Sequence, residues 1–237
     1  MFLTPDNIRI SHGLTINQKI IPWGATWNKD WGNYKKGDKY KADRMMSNGT
    51  GRVEYITIHN SEDIIQAIGT TDSEQYTRAT WPNCNMKDAR VHYFIDYEDC
   101  WQNLKDNEVG WHCGNSVGND TSIAIEIIMK GDNSENDKIA EERGALLAAI
   151  LLDKYNLGID RLVTHKFWSG KECPLYILNH WDSFVDKVSS QLEKIREISE
   201  EEHKIYRVQV GAFRVKANAE KCVEKLKKAG FENVFIR

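Results

Sequence analysis

The stretch TSIAIEII, residues 121–128, decides the fold class of this chain. Its almost unbroken apolar run is typical of a central strand that is covered on both faces. One acidic residue, Glu126, interrupts the run. A carboxylate in such a strand costs free energy unless it is paired or functional, so Glu126 is either a satisfied structural acid or a catalytic base.

Other segments extend this pattern outward. Residues 53–59, which end on His59, and residues 91–95 show the alternation of β-branched or aromatic residues with polar residues that predicts strands. Apolar residues at helical spacing between positions 137 and 155 predict a long helix, and residues 156–158 supply its stop. The sequence therefore predicts an α/β fold with a central mixed β-sheet flanked by helices.

Composition sets limits on size and partners. A chain of 237 residues, 41% hydrophobic and 28% charged, is typical of one ordinary globular domain plus an appendage. The net charge of −3, with mixed signs, argues against nucleic acid as the main partner. Five cysteines at positions 84, 100, 113, 173 and 222 form no dense disulfide framework. We therefore expect free thiols, one of which is available as a metal ligand.

The two ends of the chain differ from its centre. The first fifty residues show little periodicity and read as an irregular arm anchored by Trp23, Trp27 and Trp31. They contain no basic stretch followed by an apolar run, and no later segment offers 18 consecutive apolar residues. We expect neither a secretion signal nor insertion into a membrane.

After Trp181, apolar residues recur every three or four positions amid charged residues, which predicts a helical connector. A short module follows, with strands predicted at residues 205–210 and 234–236 around a helix at 217–229.

A loop-like segment near the long helix carries two residues of types that bind zinc. Residues 163–174 read VTHKFWSGKECP, which places His165 and Cys173 eight positions apart. With His59 from a separate strand, the set offers two His and one Cys, and three protein ligands leave a fourth position for water, as in catalytic zinc sites. The spacing alone is also compatible with a hydrogen-bonded structural His and a small buried Cys.

Five ordered blocks between Tyr55 and Trp181 resemble the type 2 N-acetylmuramoyl-L-alanine amidases, a family that includes phage endolysins and, more distantly, the animal peptidoglycan recognition proteins. The blocks are YITIHN (55–60), VHYFID (91–96), GWHCGN (110–115), TSIAIEI (121–127) and the run from GIDR (158–161) through WSGKECP (168–174).

The resemblance implies a Zn²⁺ cofactor held by His59, His165 and Cys173 in a cleft at the strand edges. It implies bacterial peptidoglycan as substrate, cut at the amide bond between the lactyl group and L-Ala of the stem peptide. Glu126 would shuttle the proton to the leaving amine, and Lys171 would hold positive charge near the developing oxyanion.

One departure from the family pattern concerns the residues around His92. Some members carry a catalytic Tyr where this chain has Val91, whereas members that resemble endolysins of Gram-positive hosts lack it and use a Glu that matches Glu126. His92 either lines the cleft as a substrate-binding residue or belongs to the core. Trp111 and His112 lie in a turn-rich stretch, and we expect them to form the cleft wall and contact substrate.

The C-terminal module resembles the opening half of a sporulation-related repeat (SPOR) domain, a domain that binds peptidoglycan glycan strands. We predict a zinc amidase domain at residues 1–185, a charged helical linker at 186–203 and a SPOR-like βαβ cell-wall-binding module at 204–237. Such a module, of about 35 residues, is too small to bury a good core alone, so we expect it to form a homodimer or to dock.

Two alternatives stay open from the sequence. The first is a peptidoglycan-binding protein of the same fold without catalysis, and the second is a cysteine hydrolase with Cys173 or Cys113 as nucleophile. Without a signal peptide, a wall-cutting enzyme is expected to be a phage or prophage endolysin, made in the cytoplasm and acting on the cell wall after release.

Overall fold

The computed structural model describes residues 3–21, 45–62, 71–80, 90–202 and 208–236. The chain divides into two compact units, Met1–Ser199 and Glu200–Arg237. The predicted anchors Trp23, Trp27 and Trp31 lie outside the described residues, as does Cys84.

The first unit is built on a mixed seven-stranded sheet. Its strands are β1 (Asn7–Ser11), β2 (Leu14–Gln18), β3 (Tyr55–Glu62), β4 (Tyr93–Ile95), β5 (Cys100–Gln102), β6 (Ser122–Met129) and β7 (Leu162–Thr164). The helices of the two units are α1 (Met46–Gly49), α2 (Asp72–Thr80), α3 (Ser116–Thr121), α4 (Glu135–Lys154), α5 (His165–Ser169), α6 (Trp181–Glu202) and α7 (Lys216–Lys228), with short 3-10 helices at Ile159–Arg161 and Leu178–His180.

The strand order is β1-β2-β5-β4-β6-β3-β7. β6 pairs in parallel with β3 and β4, and β3 pairs in parallel with β7. The β1–β2 and β4–β5 pairs are antiparallel. This arrangement confirms the predicted mixed sheet, with TSIAIEII at its centre.

The two faces of β6 have different surroundings because side chains alternate along a strand. Ile123, Ile125 and Ile127 are fully buried in the main core, to which α4 contributes Leu147 and Leu151. The opposite face carries Ser122, Ala124 and Glu126. The carboxylate that interrupts the apolar run therefore points away from the main core.

The N-terminal arm is more regular than predicted. β1 and β2 form a hairpin, in which Leu14 and Ile16 are buried. Its turn is His12-Gly13, and both residues have positive φ, 47° and 81°, as a two-residue hairpin turn requires. The expectation of an irregular arm is wrong for residues 7–18 because five-residue strands give too short a pattern to stand out among polar neighbours.

Helix α6 confirms the helix predicted after Trp181. Phe184 and Val188 are fully buried, and Leu192 and Ile195 also join the core. The core of the first unit therefore includes residues of the predicted linker. Among the described residues, no helix is long and apolar enough to cross a membrane.

The second unit contains α7, which confirms the predicted helix at residues 217–229. The predicted flanking strands are not found: residues 208–210 and 234–236 belong to neither strand nor helix, and residues 205–207 lie outside the described part. None of the residues of α7 is buried. Alternation shows only that a segment is able to form a strand, whereas a strand forms by pairing with a neighbour.

Candidate active site

Three residues of metal-binding type converge beside strand β3. His59, His165 and Cys173 are buried, and their ligand atoms all lie within 4.8 Å of one another. Cys173 Sγ is 3.8 Å from His59 Nδ1. The structure thus brings together the three residues that the sequence predicts as metal ligands.

Parallel pairing explains how residues more than a hundred positions apart meet. β3 and β7 pair in parallel with Ile58 opposite Thr164, so the next residues of the two segments, His59 on β3 and His165 directly after β7, lie beside each other. The Thr164 side chain caps α5 by accepting a hydrogen bond from Phe167 N. The chain then reverses at Gly170, whose φ of 77° favours glycine, and Lys166 N donates to Cys173 O at 3.0 Å.

The donor set fits a zinc ion. His165 Nδ1 is buried and has no hydrogen-bond partner among the described residues. A buried ring nitrogen without a partner is costly unless a ligand uses its lone pair. His59 turns Nδ1 toward Cys173, while its Nε2 lies 3.0 Å from His112 Nδ1. Two imidazoles and one thiol are three protein ligands, the number that leaves a fourth tetrahedral position for water in a catalytic zinc site.

Burial also keeps the imidazoles in their metal-binding form. It is the main cause that lowers the pKa of His59 well below its usual value, and the neighbouring His112 and His165 lower it further. Burial, followed by the charge of Lys171, lowers the pKa of His165. Neutral imidazole is the form that binds a metal ion.

Glu126 faces the same group. Its Oε1 lies 3.9 Å from His59 Nδ1, and its side chain is 16% exposed. Ser61 Oγ donates a hydrogen bond of 2.9 Å to Oε2. Burial raises the pKa of Glu126 to about 7, while the Ser61 hydrogen bond and the Lys171 charge oppose the rise. A carboxylate of this pKa is suited to taking up and releasing a proton near neutral pH.

Lys171 is exposed on the loop before Cys173. Its charge is close enough to lower the pKa values of His59, His165 and Glu126, in each case as a smaller contribution than burial. The structure therefore brings Lys171 into the electrostatic neighbourhood of the three-ligand cluster.

The three predicted substrate contacts do not share one environment. His92 is fully buried: its Nε2 pairs with Glu108 O at 2.8 Å, and its Nδ1 accepts from Ala124 N at 3.0 Å. Both ring nitrogens are occupied by backbone, which corrects the cleft-lining expectation in favour of a core residue. Trp111 is half-buried, and its contact with substrate stays a prediction. His112 is buried, and its Nδ1 lies 3.0 Å from His59 Nε2.

Family comparison agrees with this geometry. Residues 49–175, more than half of the chain, match the family model described as N-acetylmuramoyl-L-alanine amidase. The chain belongs to the N-acetylmuramoyl-L-alanine amidase family. Residues 202–237 match the model of the SPOR domain.

Two curated relatives of this amidase family member are proteins of Bacillus subtilis strain 168. The chain is 34% identical over 140 residues to the N-acetylmuramoyl-L-alanine amidase CwlH, covering 57% of this chain and 53% of CwlH. It is 34% identical over 137 residues to the amidase XlyA, covering 55% and 42%. The chain thus spans about half the length of the curated relatives it matches.

Solved structures share the fold. The catalytic domain of XlyA is similar with a TM-score of 0.55 at 31% identity, over 73% of this chain and 98% of that domain. PlyL is similar with a TM-score of 0.58 at 25% identity, over 74% of this chain and 98% of PlyL.

Four residues with polar side-chain groups around the three-ligand cluster were not predicted from the sequence: Thr57, Ser61, Ser122 and Trp168. Ser61 binds Glu126, and the other three are linked by hydrogen bonds that lead to His112. A signal for two of them was present, since Thr57 and Ser61 share the face of β3 that carries His59 by the two-residue period of a strand.

Proposed function

We propose that this chain is a zinc-dependent N-acetylmuramoyl-L-alanine amidase, acting on bacterial peptidoglycan as an endolysin from a phage or prophage. The observation that carries the proposal is the convergence of His59, His165 and Cys173 with the carboxylate of Glu126 on the same side of the sheet. The bond cut would be the amide between the lactyl group of the glycan and L-Ala of the stem peptide.

His59, His165 and Cys173 would hold the zinc ion through Nδ1, Nδ1 and Sγ. When bound, zinc supplies Lewis-acid polarisation of the scissile carbonyl and lowers the pKa of water toward neutrality. Cys173 would bind as the thiolate, although burial in the metal-free site raises its pKa to about 11. The positive charge of a bound zinc ion would lower the pKa of the Cys173 thiol and so favour the thiolate.

Glu126 would move the proton. Its Oε1 faces the cluster, so that atom would accept a proton from the attacking water and deliver it to the departing amine. Ser61 would hold Oε2 and thereby orient the other oxygen. Lys171 would place its ammonium near the carbonyl oxygen as negative charge develops there.

Residues 202–237 match the SPOR domain, a type of domain that binds the glycan strands of peptidoglycan, and residues 49–175 match an amidase family whose substrate is the same polymer. The two matches together support peptidoglycan as partner. We propose that residues 204–237 bind glycan strands and that the chain acts on the cell wall. The boundaries at 185 and 203 and the homodimer through the C-terminal unit remain proposals; light scattering of the full chain tests the dimer.

The test uses purified peptidoglycan and measures new amino groups and new reducing sugar ends separately. The proposal expects N-terminal alanine without reducing ends, and loss of this release on treatment with a chelator and its return with Zn²⁺. Glu126→Gln should abolish release, whereas Glu193→Gln, the same change at an exposed position of α6, should not.

Two outcomes favour the alternatives. If the chain sediments with peptidoglycan and releases neither group, it is a binding protein of this fold. If release survives the chelator but is lost in Cys173→Ser, a cysteine hydrolase is indicated. Burial also raises the pKa of Cys113 to about 11, which disfavours a free nucleophilic thiolate there.

A further inference from the structure

We propose that His112 is a positioning residue that fixes the tautomer of His59, and that Ser122, Thr57 and Trp168 fix the tautomer of His112 in turn. The inference deepens the proposed function, because it rests on His59 as a metal ligand. It replaces the expectation that His112 contacts substrate.

A continuous chain of hydrogen bonds connects these residues. Trp168 Nε1 lies 2.9 Å from Thr57 Oγ1, and Thr57 Oγ1 lies 2.9 Å from Ser122 Oγ. Ser122 Oγ is 3.3 Å from His112 Nε2, and His112 Nδ1 is 3.0 Å from His59 Nε2. The chain joins α5 to two strands, and it ends at the ring whose other nitrogen faces Cys173.

The groups at the Trp168 end of this hydrogen-bond series decide which atom donates and which accepts in each bond. The indole of Trp168 only donates, so Thr57 Oγ1 accepts from it and uses its own proton toward Ser122. Ser122 has one hydroxyl proton, and its 2.7 Å bond to the carbonyl of Gly118, which only accepts, takes that proton. Ser122 Oγ is therefore an acceptor for the N–H of His112 Nε2.

The direction continues through both rings. A neutral imidazole carries one N–H, so with the proton on Nε2 the Nδ1 atom of His112 is an acceptor. It receives the N–H of His59 Nε2, which leaves the lone pair of His59 Nδ1 directed at the site occupied by Cys173 and Glu126. A metal ion binds an unprotonated ring nitrogen, and this series of hydrogen bonds leaves His59 Nδ1 unprotonated.

Because these residues are buried, water does not compete for their hydrogen bonds and so does not change the tautomers. Thr57 and Ser122 are 0% exposed, His59 1% and His112 8%. If His59 adopted the other tautomer, two bare nitrogens would face each other at 3.0 Å in the protein interior. Two buried acceptors that face each other without a proton between them are strongly disfavoured. Partner groups of this kind on metal-binding histidines typically change metal affinity by about 10–100-fold.

A purely structural role for His112 is the competing explanation. Its ring packs edge-on against His59 with centroids 5.1 Å apart, and an apolar side chain of similar size would preserve such packing. If His112 positions His59, an acceptor at the Nδ1 position is required for tight zinc binding. If His112 only packs, that acceptor makes no difference to zinc binding. The side-chain oxygen of Asn lies near the position of Nδ1, whereas Leu offers no acceptor.

The first measurement is the histidine tautomer pattern of the full, metal-free chain by nitrogen–proton correlation NMR. We expect both His59 and His112 to carry their proton on Nε2. A proton on Nδ1 of either ring overturns the proposal. This readout needs no substrate, so it is independent of whether the chain cuts peptidoglycan.

The second measurement is Zn²⁺ affinity by competition with a chromogenic chelator, with urea unfolding of each metal-free variant as the folding control. His112→Leu should lose about 10–100-fold in affinity, and Ser122→Ala a smaller factor. His112→Asn should lose clearly less affinity than His112→Leu, since it keeps an acceptor for His59. The proposal fails if folded His112→Leu binds zinc as tightly as the native chain, or if His112→Asn and His112→Leu lose affinity equally. Absence of amidase activity with these affinity differences intact would instead count against the proposed function.

Discussion

His59 and Glu126 are register partners on the parallel strands β3 and β6, and their Nδ1 and Oε1 atoms lie 3.9 Å apart. Side chains of register partners point to the same face of a sheet. The relative position of a metal ligand and a proton acceptor is thus set by the backbone pairing of β3 with β6.

This relationship predicts that the length of the carboxylate side chain matters. Glu126→Asp keeps the charge but withdraws the carboxylate by one methylene from His59 and from Ser61. We expect amide hydrolysis to fall by about a hundredfold or more, because displacement of a reacting group by about 1 Å has effects of this size. The zinc content of the variant should remain that of the native chain. Native rates would show that Glu126 is not at the reacting centre, and Glu193→Asp serves as the matched control.

The thiol of Cys173 should be required for metal binding. Cys173→Ser replaces a soft sulfur ligand by a poor hydroxyl ligand, so zinc affinity should fall by at least about a hundredfold, more than for residues that only support a ligand. Cys222→Ser is the control, because Cys222 is a free, half-buried thiol of the second unit. The measurement is zinc per chain after dialysis against a weak chelator. Equal zinc in both variants contradicts the three-ligand site.

Bound zinc should also stabilise the fold. An ion that binds only the folded chain raises the free energy of unfolding by about 4 kcal/mol at a thousandfold excess over its Kd. We expect the thermal midpoint of the native chain to rise with added Zn²⁺, and that of Cys173→Ser to rise much less at the same zinc concentration. Calorimetry at several zinc concentrations checks this, and parallel shifts in the two proteins would locate zinc binding elsewhere.

Sequence alone predicted the parts of the site that local pattern or family resemblance marks. Glu126 stood out because a charge interrupts an apolar strand, and His59 because it occurs where a strand pattern ends. The resemblance supplied Cys173 and His165 as partners. The strand continues beyond His59 to Glu62, and it is the parallel register of β3 with β7 that brings His59 beside His165.

What escaped prediction depends on partners distant in the sequence. Nothing near His92 or His112 reveals that the first bonds to backbone at both nitrogens while the second contacts His59. The pairing of Thr57 with Ser122 likewise spans 65 positions. Such hydrogen bonds are determined by sheet order, which strand patterns do not specify.

Gly144 of α4 should resist replacement by Ala. In most helix interiors Gly→Ala adds up to about 1 kcal/mol of stability. Here the added Cβ would lie 2.4 Å from Cδ1 and 2.7 Å from Cγ1 of Ile127, a fully buried residue of β6. We expect Gly144→Ala to lower the free energy of unfolding by about 1–3 kcal/mol, as overpacking does.

A double variant tests that explanation for Gly144. Ile127→Val removes Cδ1, the atom nearest to the added methyl group, so Gly144→Ala should cost less in that background than in the native chain. Urea unfolding of the four proteins gives the coupling free energy between the two positions. Additive effects would show that the contact with Ile127 is not the cause.

Asp106 should make stability depend on pH. This buried carboxylate accepts hydrogen bonds from Gln102, Lys154 and Tyr155, and from the hydroxyl of Tyr93. Burial pushes the pKa of Asp106 upward, but the hydrogen bonds from Lys154, Tyr93 and Tyr155 and the charge of Lys154 together outweigh burial, so the pKa lies below its usual value. A depressed folded-state pKa adds stability above the unfolded value of about 3.9, and that stability is lost as pH falls through the folded pKa.

Replacing Asp106 by Asn isolates that contribution. The amide keeps the shape but removes the charge that the partly exposed Lys154 faces, so we expect a loss of about 1.5–3 kcal/mol at pH 7, the range for a hydrogen bond to a charged group. The difference between the native chain and Asp106→Asn should stay constant above about pH 5 and shrink below about pH 4, since protonation makes the native carboxyl resemble the amide. Urea unfolding of both proteins in chelator, from pH 7 down to 3.5, measures the difference at each pH without interference from metal release. A difference that is independent of pH would mean that Asp106 contributes through shape and neutral hydrogen bonds, and that its charge is not what joins α4 to the sheet.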